Sequence, residues 1–86
     1  MGNKTFIART IYHHGQRTGE YATLLVYRDS ADNYELFDDR EPDHHQPFAG
    51  GKEYILGKWR GANQALADGG FIRDDKRGDE EFQKFI

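Results

Sequence analysis

The sequence contains no cysteine, which excludes disulfides and thiolate metal sites and is typical of proteins in a reducing cytoplasm. No stretch approaches the ~20 consecutive apolar residues that a membrane span needs. Residues 1–6 lack the apolar segment of a signal peptide, and Phe6 stands where a myristoylation motif requires serine or threonine. We therefore expect a soluble cytoplasmic protein without a membrane partner.

The sequence also lacks an excess of positive charge. It has 12 basic and 15 acidic residues, for a formal charge of −3. Proteins dedicated to duplex DNA need clustered lysine and arginine to neutralise phosphates, so this balance argues against such a role. Hydrophobic residues make up 36% of an 86-residue chain. That composition predicts a single small domain over residues 1–86, with a thin core and two layers.

Residues 21–28 carry no charge before Arg28 and are rich in aromatic and branched side chains, which predicts a central β-strand. Residues 4–13 and 34–38 read as its two neighbours, and the short polar loops between the three strands predict an antiparallel meander. Alternation along the first strand predicts one shared face. Its members are Phe6, Ala8, Thr10 and Tyr12. In the central strand we expect Leu25 to be buried.

Residues 52–68 carry a helical stripe of Ile55, Trp59, Ala62 and Leu66, and Gly69-Gly70 follows as an end signal. Gly57 and Gly61 weaken a helix, which leaves an alternative in which the helix begins near Lys58 and residues 53–56 form a further strand. Trp59 is expected in the core.

The C-terminal part predicts two short elements. Residues 71–73 read as a short edge strand, and residues 79–86 as a helix capped by Asp79 that packs Phe82, Phe85 and Ile86 on the core. The predicted fold is therefore α+β, a three- or four-stranded antiparallel meander packed on one main helix, with a short C-terminal helix.

Residues 39–51 read as a long loop bracketed by prolines, and loops of this length are often functional. An acidic run leads into it, and opposed charges steer association with a basic partner. We predict a partner-binding surface here. Its residues are Asp38, Asp39, Glu41, Asp43, His44, His45 and Phe48.

Two histidine pairs, His13-His14 and His44-His45, are the most conspicuous candidates for metal ligands. Their spacing matches no zinc signature, and neighbours on a strand point to opposite faces, so we predict neither a metal nor another cofactor. The sequence has no glycine-rich phosphate loop, nucleophile elbow or H-E-x-x-H motif, which favours a protein that is not an enzyme.

These observations favour a non-enzymatic protein-binding module. In size, acidity and lack of motifs the chain resembles the small inhibitors encoded by phages and mobile elements, anti-CRISPR proteins among them. The resemblance implies a partner that is a nucleic-acid enzyme with a basic surface. The alternative is a single-stranded nucleic-acid binder that stacks bases on an aromatic sheet face. Tyr12, Tyr21, Tyr27 and Tyr34 are the candidates for that face. The oligomeric state stays open.

Overall fold

A computed structural model describes residues 4–40 and 47–84. It is an α+β fold in which a five-stranded antiparallel sheet, in the order β4-β3-β2-β1-β5, carries both helices on one side. The elements are β1 (Thr5–His14), β2 (Tyr21–Ser30), β3 (Asn33–Asp38), β4 (Phe48–Gly50), α1 (Lys52–Asp68), β5 (Phe71–Gly78) and α2 (Glu80–Gln83). The predicted meander of β1, β2 and β3 is confirmed, with β2 at the centre of the sheet.

The predicted strand count of three or four is too low. β4 lies inside the predicted loop 39–51 and pairs with Tyr34 to Leu36 of β3. β5 is far longer than the predicted strand at 71–73, because it pairs with β1 from His14 to Ala8. Its segment from Arg73 to Arg77 is entirely charged and therefore does not resemble a strand in sequence. Charged residues are common on edge strands, where they discourage pairing with other chains.

Helix α1 begins at Lys52, so the alternative with a strand at 53–56 is wrong. The predicted stripe is confirmed, since Ile55, Trp59 and Leu66 are fully buried and Ala62 packs against the same core. After the helix, Gly70 adopts a φ of +90°, which a residue with a Cβ rarely adopts. Neither helix in the described part of the chain has the length and apolar character needed to cross a bilayer.

Helix α2 closes one end of the core. As predicted, Asp79 caps it by accepting a hydrogen bond from the Glu81 N–H at 2.9 Å. Phe82 is fully buried, stacks on Tyr34 and meets Trp59 edge to face. The indole N–H of Trp59 donates to the Phe82 carbonyl at 2.6 Å, which ties α2 to α1. The predicted contacts of Phe85 and Ile86 lie outside the described residues.

A β-bulge changes which residues of β1 face the helices. The register of β1 on β2 shifts between Phe6 and Ala8, so Ile7 turns toward the helices with Ala8. Ala8, Thr10 and Tyr12 share that side, as the alternation predicts, and all three are buried there. Phe6 was expected there as well, but it lies on the opposite side and is 44% exposed. A bulge inserts one residue into a strand, so the side chains before it point to the opposite faces from those that simple alternation predicts.

The prediction that Leu25 is buried in the core is also wrong. Leu24 and Val26 are the fully buried residues of β2, and Leu25 between them is only half-buried on the opposite side of the sheet. The run Leu24-Leu25-Val26 is apolar throughout, so alternation in polarity does not distinguish the two faces.

The core contains a small polar network around Asn63, which is buried in the middle of α1. Its amide oxygen accepts hydrogen bonds from the hydroxyls of Thr10, at 3.0 Å, and of Tyr12. Its amide nitrogen donates to the Trp59 carbonyl at 2.8 Å. Burial raises the pKa of the Tyr12 hydroxyl, so the group remains a proton donor at neutral pH. The network fixes the position of α1 along β1.

We predict that Asn63→Leu lowers the free energy of unfolding by about 2 kcal/mol, because it leaves the hydroxyls of Thr10 and Tyr12 buried without an acceptor. Urea denaturation followed by circular dichroism measures the loss. Adding Thr10→Val and Tyr12→Phe to this variant removes the stranded hydroxyls and is expected to restore part of the stability. A triple variant less stable than Asn63→Leu would contradict this explanation.

Candidate functional site

The side of the sheet opposite the helices is the candidate site, and we call it the open face. Strand register places on it the residues that alternate with the core positions. They are Phe6, Arg9, Ile11, His13, Tyr21, Thr23, Leu25, Tyr27, Glu35, Phe37, Ala49, Ile72, Asp75 and Arg77. Within residues 4–40 and 47–84, α1 and α2 both contribute to the core on the other side, and no described element covers this one.

An apolar strip crosses the middle of the open face. Phe6 and Phe37 each pack edge to face against Tyr27, with ring centroids 6.3 and 6.1 Å apart. Leu25 lies beside Phe37 across the β2–β3 pairing. The strip includes a shallow cavity of about 340 Å³. Its lining residues are Thr23, Leu25, Tyr27, Phe37 and Asp39.

Ion pairs flank the apolar strip at the β3 side. Lys4 contacts Glu35 at 2.6 Å, and its ammonium lies 5.6 Å from the centre of the Phe37 ring. The hydrogen bond to Glu35 raises the pKa of Lys4. This positive charge is therefore already engaged with a carboxylate and an aromatic ring at the rim of the strip.

At the β5 side, Asp75 joins two cations of the open face. It receives a hydrogen bond from Arg9 at 2.8 Å and also contacts Arg77 at 3.4 Å. The hydrogen bond from Arg9 is the main cause of a lowered pKa for Asp75. His13 contacts Asp74 at 2.6 Å nearby. Charges of both signs thus border the strip on this side as well.

The neighbouring histidine has a structural role. The Nδ1 of His14 accepts hydrogen bonds from the backbone N–H groups of Gln16 and Arg17, both at 3.0 Å. Its Nε2 must then carry the proton, and it donates to the Gly69 carbonyl at 3.1 Å. The ring also packs edge to face on Phe71. His14 thereby fastens the β1–β2 loop to the end of α1.

His13 and His14 consequently point to different partners and do not converge on one point. In the described ranges, 4–40 and 47–84, no group of three or more histidine, aspartate or glutamate side chains could hold a metal ion. The second pair, His44 and His45, lies outside those ranges. For these two residues the absence of a metal site therefore remains a prediction from sequence.

No family model, no curated protein and no solved structure matches this chain. What the open face can do therefore follows from its own residues and their geometry.

The predicted partner-binding residues separate in the structure. Asp38 is buried at the end of β3, where its carboxylate binds Arg40 at 2.7 Å. Asp39 is exposed at the rim of the apolar cavity and accepts the Thr23 N–H at 2.9 Å. Phe48 is partly buried and packs against the core, with the Lys58 ammonium over its ring.

Four members of the predicted site fall on residues that the structure does not describe. They are Glu41, Asp43, His44 and His45. Among the described members, Asp39 alone borders the open face, and Asp38 and Phe48 serve the fold.

Sequence reasoning missed three residues of the apolar strip, Phe6, Leu25 and Phe37. Tyr27 was considered, because it belongs to the four tyrosines of the aromatic-face alternative. The structure splits that set. Tyr12 and Tyr34 are buried on the helix side, whereas Tyr21 and Tyr27 lie on the open face, where Tyr21 is 65% exposed. In β3, burial alternates between the two faces, with Glu35 and Phe37 less buried than Tyr34 and Leu36. The sequence carries no matching signal, because Phe37 is as apolar as Leu36.

Proposed function

We propose that this protein is a non-enzymatic protein-binding module and that the open face is its docking surface. The observation that carries the proposal is the apolar strip of Phe6, Leu25, Tyr27 and Phe37 in the middle of a sheet face that no described element covers. Contiguous apolar patches rimmed by polar groups are typical of interaction sites on soluble proteins. Aromatic side chains are also enriched in the centres of protein interfaces.

Charge favours a protein partner over single-stranded nucleic acid. Each of the basic side chains described on the open face, Lys4, Arg9, His13 and Arg77, contacts a carboxylate. A nucleic-acid strand would bring its phosphates against those carboxylates, which repel them. Grooves that bind single-stranded nucleic acid instead provide lysine and arginine side chains along the path of its phosphate backbone. The rings of the strip also pack against one another edge to face, which leaves few flat faces for base stacking.

The titratable groups support a role without catalysis. Among the described residues, the groups with shifted pKa values are Lys4, Lys52 and Asp75 in surface ion pairs, and Tyr12 in the core. Catalytic acids and bases usually gather in one cleft, where burial and neighbouring charges tune them together. These four groups do not share a cavity.

A more specific form of the proposal follows from the acidity of the chain. The formal charge of −3 supports a partner with a basic surface, such as the nucleic-acid enzymes that small acidic inhibitors cover. In this form, Asp39 at the rim of the cavity would contact the partner together with Glu41 and Asp43. Neutralising these three acids should then slow association and reduce its salt dependence.

Affinity capture tests the proposal. Immobilised protein is exposed to a lysate of the organism that encodes it, with and without nuclease treatment, at low and high salt. We expect wild type to retain a specific protein, and Leu25→Glu to lose it because a charge now stands in the apolar strip. Tyr54→Glu is the matched control, since Tyr54 is a half-exposed aromatic residue on the helix side.

Equal retention by wild type and Leu25→Glu would show that the open face is not the docking surface. Retention that disappears only after nuclease treatment would instead support the nucleic-acid alternative. The triple variant Asp39→Asn, Glu41→Gln, Asp43→Asn separates the acidic form of the proposal from the general one, because it leaves the apolar strip unchanged.

A further inference from the structure

We infer that the open face binds a second copy of this chain, so that two sheets pack face to face in a symmetric homodimer with helices on both outer sides. The inference rests on the proposed function in its general form, because it names a second copy, in place of a basic partner, as the protein that binds the same docking surface. Three observations carry it: the charge pattern of the face, its size and the chemistry of the sheet edges.

The charge pattern is self-complementary. A two-fold interface brings the same surface against itself, so that surface must carry both signs of charge around its apolar centre. The open face has Lys4 beside Glu35 on the β3 side and Arg9 and Arg77 around Asp75 on the β5 side. A uniformly basic partner would meet Lys4, Arg9 and Arg77, and a uniformly acidic partner would meet Glu35 and Asp75. A second copy can match each cation with a carboxylate.

The size of the face suits a dimer. The molecule measures 40 × 27 × 18 Å, and its short dimension corresponds to one sheet and one helix layer. At about 4.8 Å between strands and about 3.3 Å per residue, the five strands span about 600 Å² in projection. Stable interfaces bury about 800 Å² of accessible surface on each partner, and side chains make accessible surface larger than its projection.

The sheet edges favour packing by the face over pairing by the edge. The outer strand β5 carries five consecutive charged residues from Arg73 to Arg77, which discourages the addition of a further strand. The other outer strand, β4, has only 3 residues. Sheets that pack face to face lie about 10 Å apart and interdigitate their apolar side chains. Leu25, Tyr27 and Phe37 are placed to do so.

Analytical ultracentrifugation of the purified protein tests the inference. From micromolar to submillimolar concentration we expect wild type to shift from a 10.0 kDa monomer to a species of twice that mass. Leu25→Glu should raise the dissociation constant of the dimer by about 100-fold, since truncating or charging a central anchor has effects of this size. Tyr54→Glu adds the same charge on the helix side and should leave the dissociation constant unchanged.

A second measurement does not depend on a disruptive substitution. Because the chain has no cysteine, one can be introduced at a single position and labelled with a maleimide. Thr23 lies in the cavity of the open face, and Gln64 is exposed on α1. The labelling rate of Thr23→Cys should fall as protein concentration rises, while that of Gln64→Cys should stay constant.

A wild-type protein that remains monomeric throughout the concentration range would overturn the inference. So would a dimer that Leu25→Glu leaves intact, or a labelling rate of Thr23→Cys that does not fall as protein concentration rises. These results would not remove the proposed function. If the protein is a monomer and its capture of another protein depends on Leu25, the open face is still the docking surface, and its partner is that other protein instead of a second copy.

Discussion

Replacing Trp59 with alanine is expected to remove most of the protein's stability, leaving a free energy of unfolding of at most ~2 kcal/mol. The side chain is fully buried, and truncating an aromatic residue in a core costs about 3–5 kcal/mol. A domain of this size has a total stability of ~5 kcal/mol. The substitution also removes the indole donor of the Phe82 carbonyl and the ring against which Phe82 packs. Helix α2 then loses its attachment to α1.

Urea denaturation monitored by far-ultraviolet circular dichroism measures this effect, because the variant has no tryptophan fluorescence. Tyr54→Ala is the control, as it removes an aromatic side chain that is 50% exposed on the same helix. Its expected loss is within ~0.5 kcal/mol. A Trp59→Ala variant with a native-like unfolding midpoint would mean that Trp59 does not hold the core together.

The elements predictable from sequence are those whose pattern repeats over several turns or alternations. Helix α1 is 17 residues long and packs its apolar stripe on the sheet. Gly57 and Gly61 lower its helix propensity but do not interrupt it, and both lie on its exposed side. Strand β2 was predicted as central because an uncharged strand needs neighbours on both sides. Both features are long enough for the pattern to outweigh local ambiguity.

The parts that failed depend on pairing rather than on pattern. Residues 73–77 are all charged, and only their hydrogen bonds to β1 make them a strand. The bulge at Ile7 depends on the register of β1 against β2, which no local property of residues 5–8 specifies. A single inserted residue moves Phe6 from the core side to the open face.

The open face is not evident from the sequence for a related reason. Composition and loop length favour residues 38–48, of which Asp38 is buried and pairs with Arg40, and Phe48 packs on the core. The open face exists because both helices pack on the same side of the sheet. Which side they take follows from the alternation of Leu24, Leu25 and Val26, where all three residues are apolar. Sequence alone therefore leaves undetermined which face of the sheet lies opposite the helices.

Gly78→Ala is expected to lower the free energy of unfolding by on the order of 4 kcal/mol, through strain in the backbone and overpacking against β1. Gly78 has a φ of +113°, a conformation that residues with a Cβ rarely adopt. A Cβ built there would lie 2.0 Å from the Ile7 carbonyl oxygen and 2.6 Å from the Ala8 Cα. Both are backbone atoms of β1 and cannot rotate away.

The damage should extend beyond the end of β5. The N–H of Asp79 donates to the Ile7 carbonyl at 2.7 Å, so moving Gly78 away from β1 stretches this bond and displaces the cap of α2. Phe82, buried beneath Trp59, shifts with it. Gly57→Ala, on the exposed side of α1, is the matched control, because a Cβ there would meet no other part of the described chain within 4 Å. Alanine there should stabilise the helix by up to ~1 kcal/mol. Urea midpoints of the two variants should therefore move in opposite directions from wild type, and a Gly78→Ala midpoint equal to or above wild type would refute the close approach of β5 to Ile7.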